Sequence, residues 1–520
     1  MEVTRLGRVT ALLTGILAAT LSHVHASEVQ QPSAPDYSTA ATDDWWSPDT
    51  TATFPAYAEY ANTAGRIGII NTGGEIDTRN HPFFAVIGSN GRACVTCHQP
   101  SDGMSLSLET IRERWAATLG KDPLFDAFDG ADCPDKPAGE ESSHSLLLNH
   151  GLIRIGMPWP PAPYAPDPVD VEFDIEVVRD PTGCNLSPTW GINSATPTIS
   201  VYRRPRPVIN IAHMVELPHG VGPHDKFFYA DKNLLHTDPE TGEFVQGLLM
   251  ADARGLTPRN QARDAAKNHL GLERPLSESE LQAIEQFELQ LFGAQSVDAI
   301  GGPLDGPGTP PGLGPNAPVN VPRGTLGNNP VNRVFGDFSM WTDGEQSGDE
   351  AGAFKASVAR GADVFYRKRF YINDVGAYND KGLGNPFKRS CASGCHNTLG
   401  MGMDMGPFPM DLGTGTYPWQ NTRDDLPLFK VTCRPDAIPH SYLGPVVYTH
   451  DPGRALITGR CRDIGAIMTQ QMRALSARAP YFSNGSAATL QELVDFYDRR
   501  FNIGYSDQEK TDLINFMRTL

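Results

Sequence analysis

Two short clusters hold the residue types and spacings most able to do chemistry: Cys94-Val95-Thr96-Cys97-His98 and Cys391-Ala392-Ser393-Gly394-Cys395-His396. In the first, two thiols separated by two residues can add to the two vinyl groups of one haem while the adjoining imidazole coordinates its iron. Chance is a weak alternative: with 8 Cys and 14 His in 520 residues, such a pentapeptide arises roughly 0.003 times. A zinc site needs about four ligands, whereas each cluster offers two cysteines and one histidine. The second cluster has one extra residue between its cysteines, so its haem reading depends on its place in the chain.

The other cysteines are Cys133, Cys184, Cys433 and Cys461. In an oxidising compartment they would pair, and proximity suggests Cys133 with Cys184 and Cys433 with Cys461, although three connectivities are open. Residues 1–26 read as a secretory signal: Arg5 and Arg8 form a basic start, the apolar run from Val9 to Leu21 is too short to span a bilayer, and Val24-His25-Ala26 precedes Ser27 as a small-residue cleavage site. The expected address is the periplasm, where covalent haem attachment takes place. A formal charge of −18 argues against nucleic acid and anionic membrane surfaces as partners. With no second apolar stretch of spanning length, a soluble chain is expected, with a protein electron donor that presents a basic face.

The elements that must position the clusters read as mostly helical. Ser277 and Glu280 form a capping-box pattern ahead of Leu281, Ile284, Phe287, Glu288 and Leu291 at helical spacing. Residues 489–497 repeat the pattern, and Ser506 with Glu509 opens a last helix whose buried face is Leu513, Phe516, Met517 and Leu520. Residues 301–335, rich in Pro and Gly, read as a linker with the clusters on opposite sides. The expected plan is an N-terminal extension (27–80), an N-terminal haem domain (81–300), the linker, and a C-terminal haem domain (336–520). The expected fold is mainly α, with two tandem haem domains and long irregular loops.

The stretch from Ala479 to Tyr497, APYFSNGSAATLQELVDFY, resembles the A-P-Y-F-H-D-G-S-A-x-T-L-x-E-V-V-x-F-Y segment of the bacterial diheme cytochrome c peroxidase and MauG family. The resemblance covers roughly residues 81–520 and implies two cytochrome c-like domains with two covalently bound haem c groups. It makes the N-terminal haem, on Cys94, Cys97 and His98, the peroxide-reacting centre. Cys391, Cys395 and His396 occupy the place of the second, electron-donating haem.

A second segment, Met250-Ala251-Asp252-Ala253-Arg254 through Gln261-Ala262, resembles the family's W-D-G-R and L-x-x-Q-A run over the peroxidatic iron. Asp252, Arg254 and Gln261 match, while Ala251 stands where the family has a tryptophan that relays electrons. The family's acid-base glutamate falls at Gly271, which cannot transfer a proton. His269, two residues earlier, is the expected replacement, because imidazole titrates in the range needed to take and return a peroxide proton; the alternative is a solvated helix-end histidine. Catalytic candidates are therefore His269, Gln261 and Arg254, with His213, His219 and His224 as further possible distal ligands.

For the second haem, the resemblance implies a methionine ligand some seventy residues after His396. Met468 lies there, with Met472 nearby, and a thioether suits a donor haem. Core packing is the alternative for both. Met401, Met403 and Met405 are expected to pack on a haem edge. The resemblance also implies a calcium ion between the haems, but Arg204 stands where an asparagine ligand would be, and a cation is a poor substitute for oxygen.

The leading expectation is a periplasmic oxidoreductase that reduces H2O2 with electrons from a small redox protein, a cytochrome c or cupredoxin. One rival is a haem oxidase or oxygenase in the manner of MauG or the diheme rubber oxygenases, favoured by Ala251 and Gly271. The other is an electron carrier without catalysis, which follows if a loop histidine caps the first iron.

Overall fold

Local sequence signals set the helices. Ser277 and Glu280 make a reciprocal capping box at the start of Glu278–Gln290, and Ser506 and Glu509 do the same for Asp507–Arg518. Thr489 caps Leu490–Phe501, and Asp349 caps Glu350–Arg367. Leu513, Phe516, Met517 and Leu520 are all buried, each contributing about 1.5–3 kcal/mol of apolar burial. Phe516 packs on Phe335, Phe338 and Phe365.

The computed structural model describes residues 44–161, 169–215, 236–238, 240–245, 249–323, 335–376, 378–379, 386–396, 408–421 and 423–520. The signal segment, His219, His224, Met401, Met403 and Met405 lie outside the described residues. Residues 42–520 form one packed unit, and no described helix is long and apolar enough to cross a membrane.

The expectation of a mainly α chain is corrected: the fold is mixed α/β. A four-stranded antiparallel sheet runs in the order Gly302–Pro303, Leu291–Asp298, Gly65–Asn71, Tyr57–Asn62. Thus the 27–80 region supplies two strands of a sheet completed from far along the chain. A three-stranded sheet joins Val446–Thr449, Leu428–Cys433 and Phe173–Arg179, and Ile153–Pro158 pairs with Thr198–Arg203. Most of these strands find partners beyond a local hairpin, so sequence periodicity carried little sign of them. Leu291–Asp298 follows directly from a helix and continues its apolar pattern, which disguised the change of period.

Cys133 is bonded to Cys184 and Cys433 to Cys461. Leu304 and Leu313, within the Pro/Gly-rich stretch, are buried in the C-terminal core with Phe335 and Trp341. That core surrounds the second cysteine cluster. A separate core of Phe54, Phe83, Phe84 and Phe287 packs against Cys94.

Candidate functional site

The first cluster is held by its own small residues. Thr96 accepts the Ala93 N–H through its hydroxyl, closing a short 3-10 turn over Cys94–Thr96. Gln99 donates to the Val95 carbonyl and accepts the Trp46 N–H, which pins the turn to the N-terminal segment. Cys94, Cys97 and His98 then line one wall of a cavity of about 1290 Å³. His98 Nδ1 lies 3.0 Å from the Met104 carbonyl; a carbonyl only accepts, so Nδ1 carries the hydrogen and Nε2 keeps its lone pair. Burial pushes the imidazole pKa down to about 4, so the ring is in its neutral, ligating form at neutral pH.

These features fit a covalently attached haem: two unpaired thiols and an oriented imidazole on the lining of one largely apolar cavity. Burial also raises both thiol pKa values. The cysteines are therefore suited to addition after assistance rather than to acting as free thiolates.

Another part of the lining comes from the helix Pro258–His269. Gln261, Ala265 and His269 recur at four-residue intervals and line the cavity together. The helix ends after His269, with Gly271 in the left-handed region at φ 65°. A side chain there would be strained, and its Cβ would meet Ser89 Oγ at 2.7 Å. Position 271 is a helix stop, which leaves His269 as the last residue of the helix.

His269 Nδ1 lies 2.7 Å from Asp129 Oδ2. Asp129 is buried and ion-paired with Arg92, whose guanidinium also donates to the Pro123 and Leu124 carbonyls. The carboxylate accepts from Nδ1–H, so Nε2 is the basic nitrogen. Burial, with Arg254 and Arg92 nearby, pushes the His269 pKa down to about 4 against the opposing pull of Asp264. Asp129 and Arg92 were not singled out in sequence, because 129 is one of several aspartates between 122 and 135 and only the fold brings it beside residue 269.

Arg254 also lines the cavity, but its charge is engaged: Nε donates to Asp264, and Nη1 to both oxygens of Asp252. Arg203 joins Asp252 to Asp451, and the two guanidiniums hold the Asp252 carboxyl well below the usual carboxylate range despite its burial. This network braces the 249–255 turn, whose Met250 and Ala253 are both at positive φ. Arg254 is thereby an anchor for the wall. Glu288 lines the same cavity with no hydrogen-bond partner for Oε2 among the described residues, and burial raises its pKa to about 8. His213 is buried with Nε2 2.7 Å from the Pro318 carbonyl and is not part of the cavity lining.

The second cluster forms a different turn. Ser390 and Ser393 exchange hydrogen bonds, each hydroxyl accepting the other's backbone N–H. Gly394 occupies the lengthened spacer: a Cβ there would lie 2.6 Å from Ile372 Cδ1 and 2.8 Å from the Ser390 carbonyl. The extra residue is thus accommodated where only a hydrogen fits. Cys391, Cys395 and His396 line a cavity of about 1170 Å³ with Met468, Met472, Phe370, Tyr481, Tyr497 and Tyr505. Leu493, Val494, Tyr497 and Phe501 supply one helix face, and Leu513 and Met517 another. The Tyr505 hydroxyl lies 3.6 Å from Cys391 Sγ, and burial raises its pKa.

The two cavities nearly meet. Met468 lines the second, and its N–H donates to the carbonyl of Ala251, which lines the first, at 2.8 Å. Gln471 lines both. Arg206 closes the wall by donating to the Met468 and Thr469 carbonyls. At the stretch aligned with a calcium ligand, Arg204 donates to the Gly151, Leu106 and Arg478 carbonyls. Asn210 Oδ1 is taken by the Gly293 N–H. A donor-only guanidinium using the available oxygens does not fit a calcium site.

No family model matches this chain. It is 35% identical over 109 residues to the cytochrome-c peroxidase IdrP1 of Pseudomonas sp. (strain SCT). The relation is a distant one, to a peroxidase. It takes in 18% of this chain, and the chain spans 29% of the length of that curated relative.

Proposed function

We propose that this chain is a periplasmic diheme c-type oxidoreductase of the peroxidase kind, reducing H2O2 with electrons from a small redox protein. The observation that carries the reading is the first cavity, where Cys94, Cys97 and the oriented His98 share one space with Gln261 and the Asp129-supported His269. The peroxidase relative supports the same class of chemistry.

Cys94, Cys97 and His98 would hold one haem; Cys391, Cys395 and His396, with Met468 or Met472, would hold the other. When bound, haem supplies a redox-active iron that exchanges electrons with peroxide. The side chains do the proton work. His269 Nε2, unprotonated at neutral pH, accepts a proton from one peroxide oxygen and returns it to the other as water leaves. Gln261 orients the peroxide by hydrogen bonding, and Asp129 holds the imidazole in the basic tautomer. The overall balance is H2O2 plus two electrons and two protons to two waters. To the second cavity, where the thioethers of Met468 and Met472 stand among aromatic and aliphatic side chains, we assign electron delivery.

The deciding experiment is H2O2-dependent oxidation of a reduced cytochrome c or cupredoxin by the holoprotein, together with the resting spin state of each haem. One high-spin haem and rapid turnover are expected. Two low-spin haems in every redox state, with no turnover, would overturn the assignment in favour of a carrier.

A further inference from the structure

On a chain of formal charge −18, one face of the second cavity is basic and aromatic. Two segments build it, Arg367-Lys368-Arg369-Phe370-Tyr371 and Phe387-Lys388-Arg389. They are joined by paired backbone hydrogen bonds of 2.8 Å between Phe370 and Arg389, and Arg369 donates to the Lys388 carbonyl. Tyr371 is 43% exposed and Phe387 59% exposed. Lys388 Nζ lies 5.2 Å from the Tyr371 ring centroid, and the Arg389 guanidinium lies 5.9 Å from that of Phe387.

Alternation along the chain ties this surface to the cavity behind it. Phe370 and Ile372 line the cavity while Tyr371, between them, faces solvent. Phe387 and Lys388 are exposed just before Ser390 and Cys391, which again line the cavity. One layer of chain therefore separates exposed rings from the attachment cysteine. Arg367 is paired with Asp363 and Lys368 with Glu509, whereas Arg369 and Lys388 are exposed beside the rings.

We propose that this face docks a small electron-transfer protein whose contact surface is an apolar centre with an acidic rim. Exposed aromatic rings ringed by Lys and Arg provide the desolvated centre and charged border of a transient interface, and electron-transfer contacts are small enough to be served by one such patch. Charge complementarity sets the association rate and the partner's sign. The local basic charge runs against the net charge of the chain, so the partner is acidic rather than basic. Naming an electron-transfer protein as the occupant rests on the proposed function; the basic and aromatic character of the face does not.

The test uses the holoprotein in the resting state without peroxide, with an acidic plastocyanin and a basic mitochondrial cytochrome c as probes. Binding is followed by NMR line broadening of the probe over a range of ionic strength. Wild type should bind plastocyanin more tightly than cytochrome c, with affinity falling as salt rises. The double reversal Arg369→Glu/Lys388→Glu should weaken plastocyanin binding at least tenfold, and Phe387→Ser should weaken it by a smaller factor. A matched reversal of two exposed cations elsewhere, Arg79→Glu/Lys121→Glu, should cost less than twofold. Soret spectra and thermal midpoints establish that each variant is folded. Equal losses from both double reversals, no loss from the first, or tighter wild-type binding of cytochrome c would overturn the proposal. Patch-dependent plastocyanin binding by a protein that does not turn over H2O2 would support the docking surface and overturn the peroxidase reading instead.

Discussion

The two cavities share a cysteine pair, a histidine and similar size, yet their far walls differ in kind. Sharing the first cavity with His98 are Gln261, Arg92 and His269, and behind them Asp129 pairs with both Arg92 and His269. Around His396 stand Met468, Met472, Phe370 and three tyrosines. The first lining carries an imidazole and an amide that suit the proposed proton transfer, while the second carries the thioethers of Met468 and Met472. Similar cysteine-histidine motifs thus acquire unequal surroundings from the helices packed beside them.

The largest expected effect comes from removing the histidine proposed as iron ligand on one side only. His98→Ala should lower peroxide turnover by about 1,000-fold or more, as expected when a residue essential to the reacting centre is lost. His396→Ala should chiefly slow turnover with a protein donor and spare the first reaction with peroxide, measured by single-turnover stopped flow. Equal losses would break the comparison.

His269→Ala should reduce the rate with peroxide by about 100-fold to 10,000-fold, the usual range for general acid-base catalysis. Asp129→Asn should cost roughly 10- to 100-fold, like other second partners of functional histidines. Neither change should move the optical spectrum of the second haem.

The pH profile sharpens the same point. With its pKa held at about 4, His269 stays basic through neutral pH, so the peroxide rate should be flat from pH 8 to 5 and fall as pH drops through 4. The sign for stability follows. The folded pKa lies below the ordinary value near 6.5, so the unfolded chain takes up the proton first and stability is lost as pH falls from about 6.5 to 4. His269→Gln should reduce that loss in denaturant melts of the same holoprotein.

On the opposite side, Met468→Ala should lower the potential of the second haem on the order of 100 mV if its thioether is the ligand, within the roughly 0.8 V that axial ligands span. Potentiometric titration checks it, and an unchanged potential would move the role to Met472.

The last expected effect, on stability with no change in turnover, belongs to Glu288. Its carboxyl has a folded pKa of about 8, above its ordinary 4.5, so the folded state holds a proton the unfolded chain loses, and stability falls as pH rises between those values. Glu288→Gln should flatten the dependence of the thermal midpoint from pH 5 to 8.

The helices were legible because their information is local: Ser277 with Glu280, Ser506 with Glu509, and apolar residues at three- and four-residue intervals. The sheets were not, because Gly65–Asn71 becomes a central strand only when Leu291–Asp298 reaches it. At the site, Gln261 and His269 could be named from a motif and its offset, and Gly271 foretold that no acid stands at that place. Asp129 could not be named, since nothing in its neighbours marks it, and the structural commitment of Arg254 to Asp252 and Asp264 was equally invisible.

The sequence by itself determined the two cysteine-histidine clusters and the helix caps, because each depends on residues close in the chain, while it left the cysteine pairing open among three connectivities. Tertiary structure alone decided that His269 gains a carboxylate partner, that Ala251 and Met468 meet between the cavities, and that a basic aromatic face lies one chain layer from Cys391. The first two depend on burial and on contacts across more than 100 residues, and the third on the pairing of Phe370 with Arg389 across a connection of 18 residues. The physical reason is that an imidazole's basicity and a wall's polarity belong to the surroundings of a side chain, and folding is what supplies the surroundings.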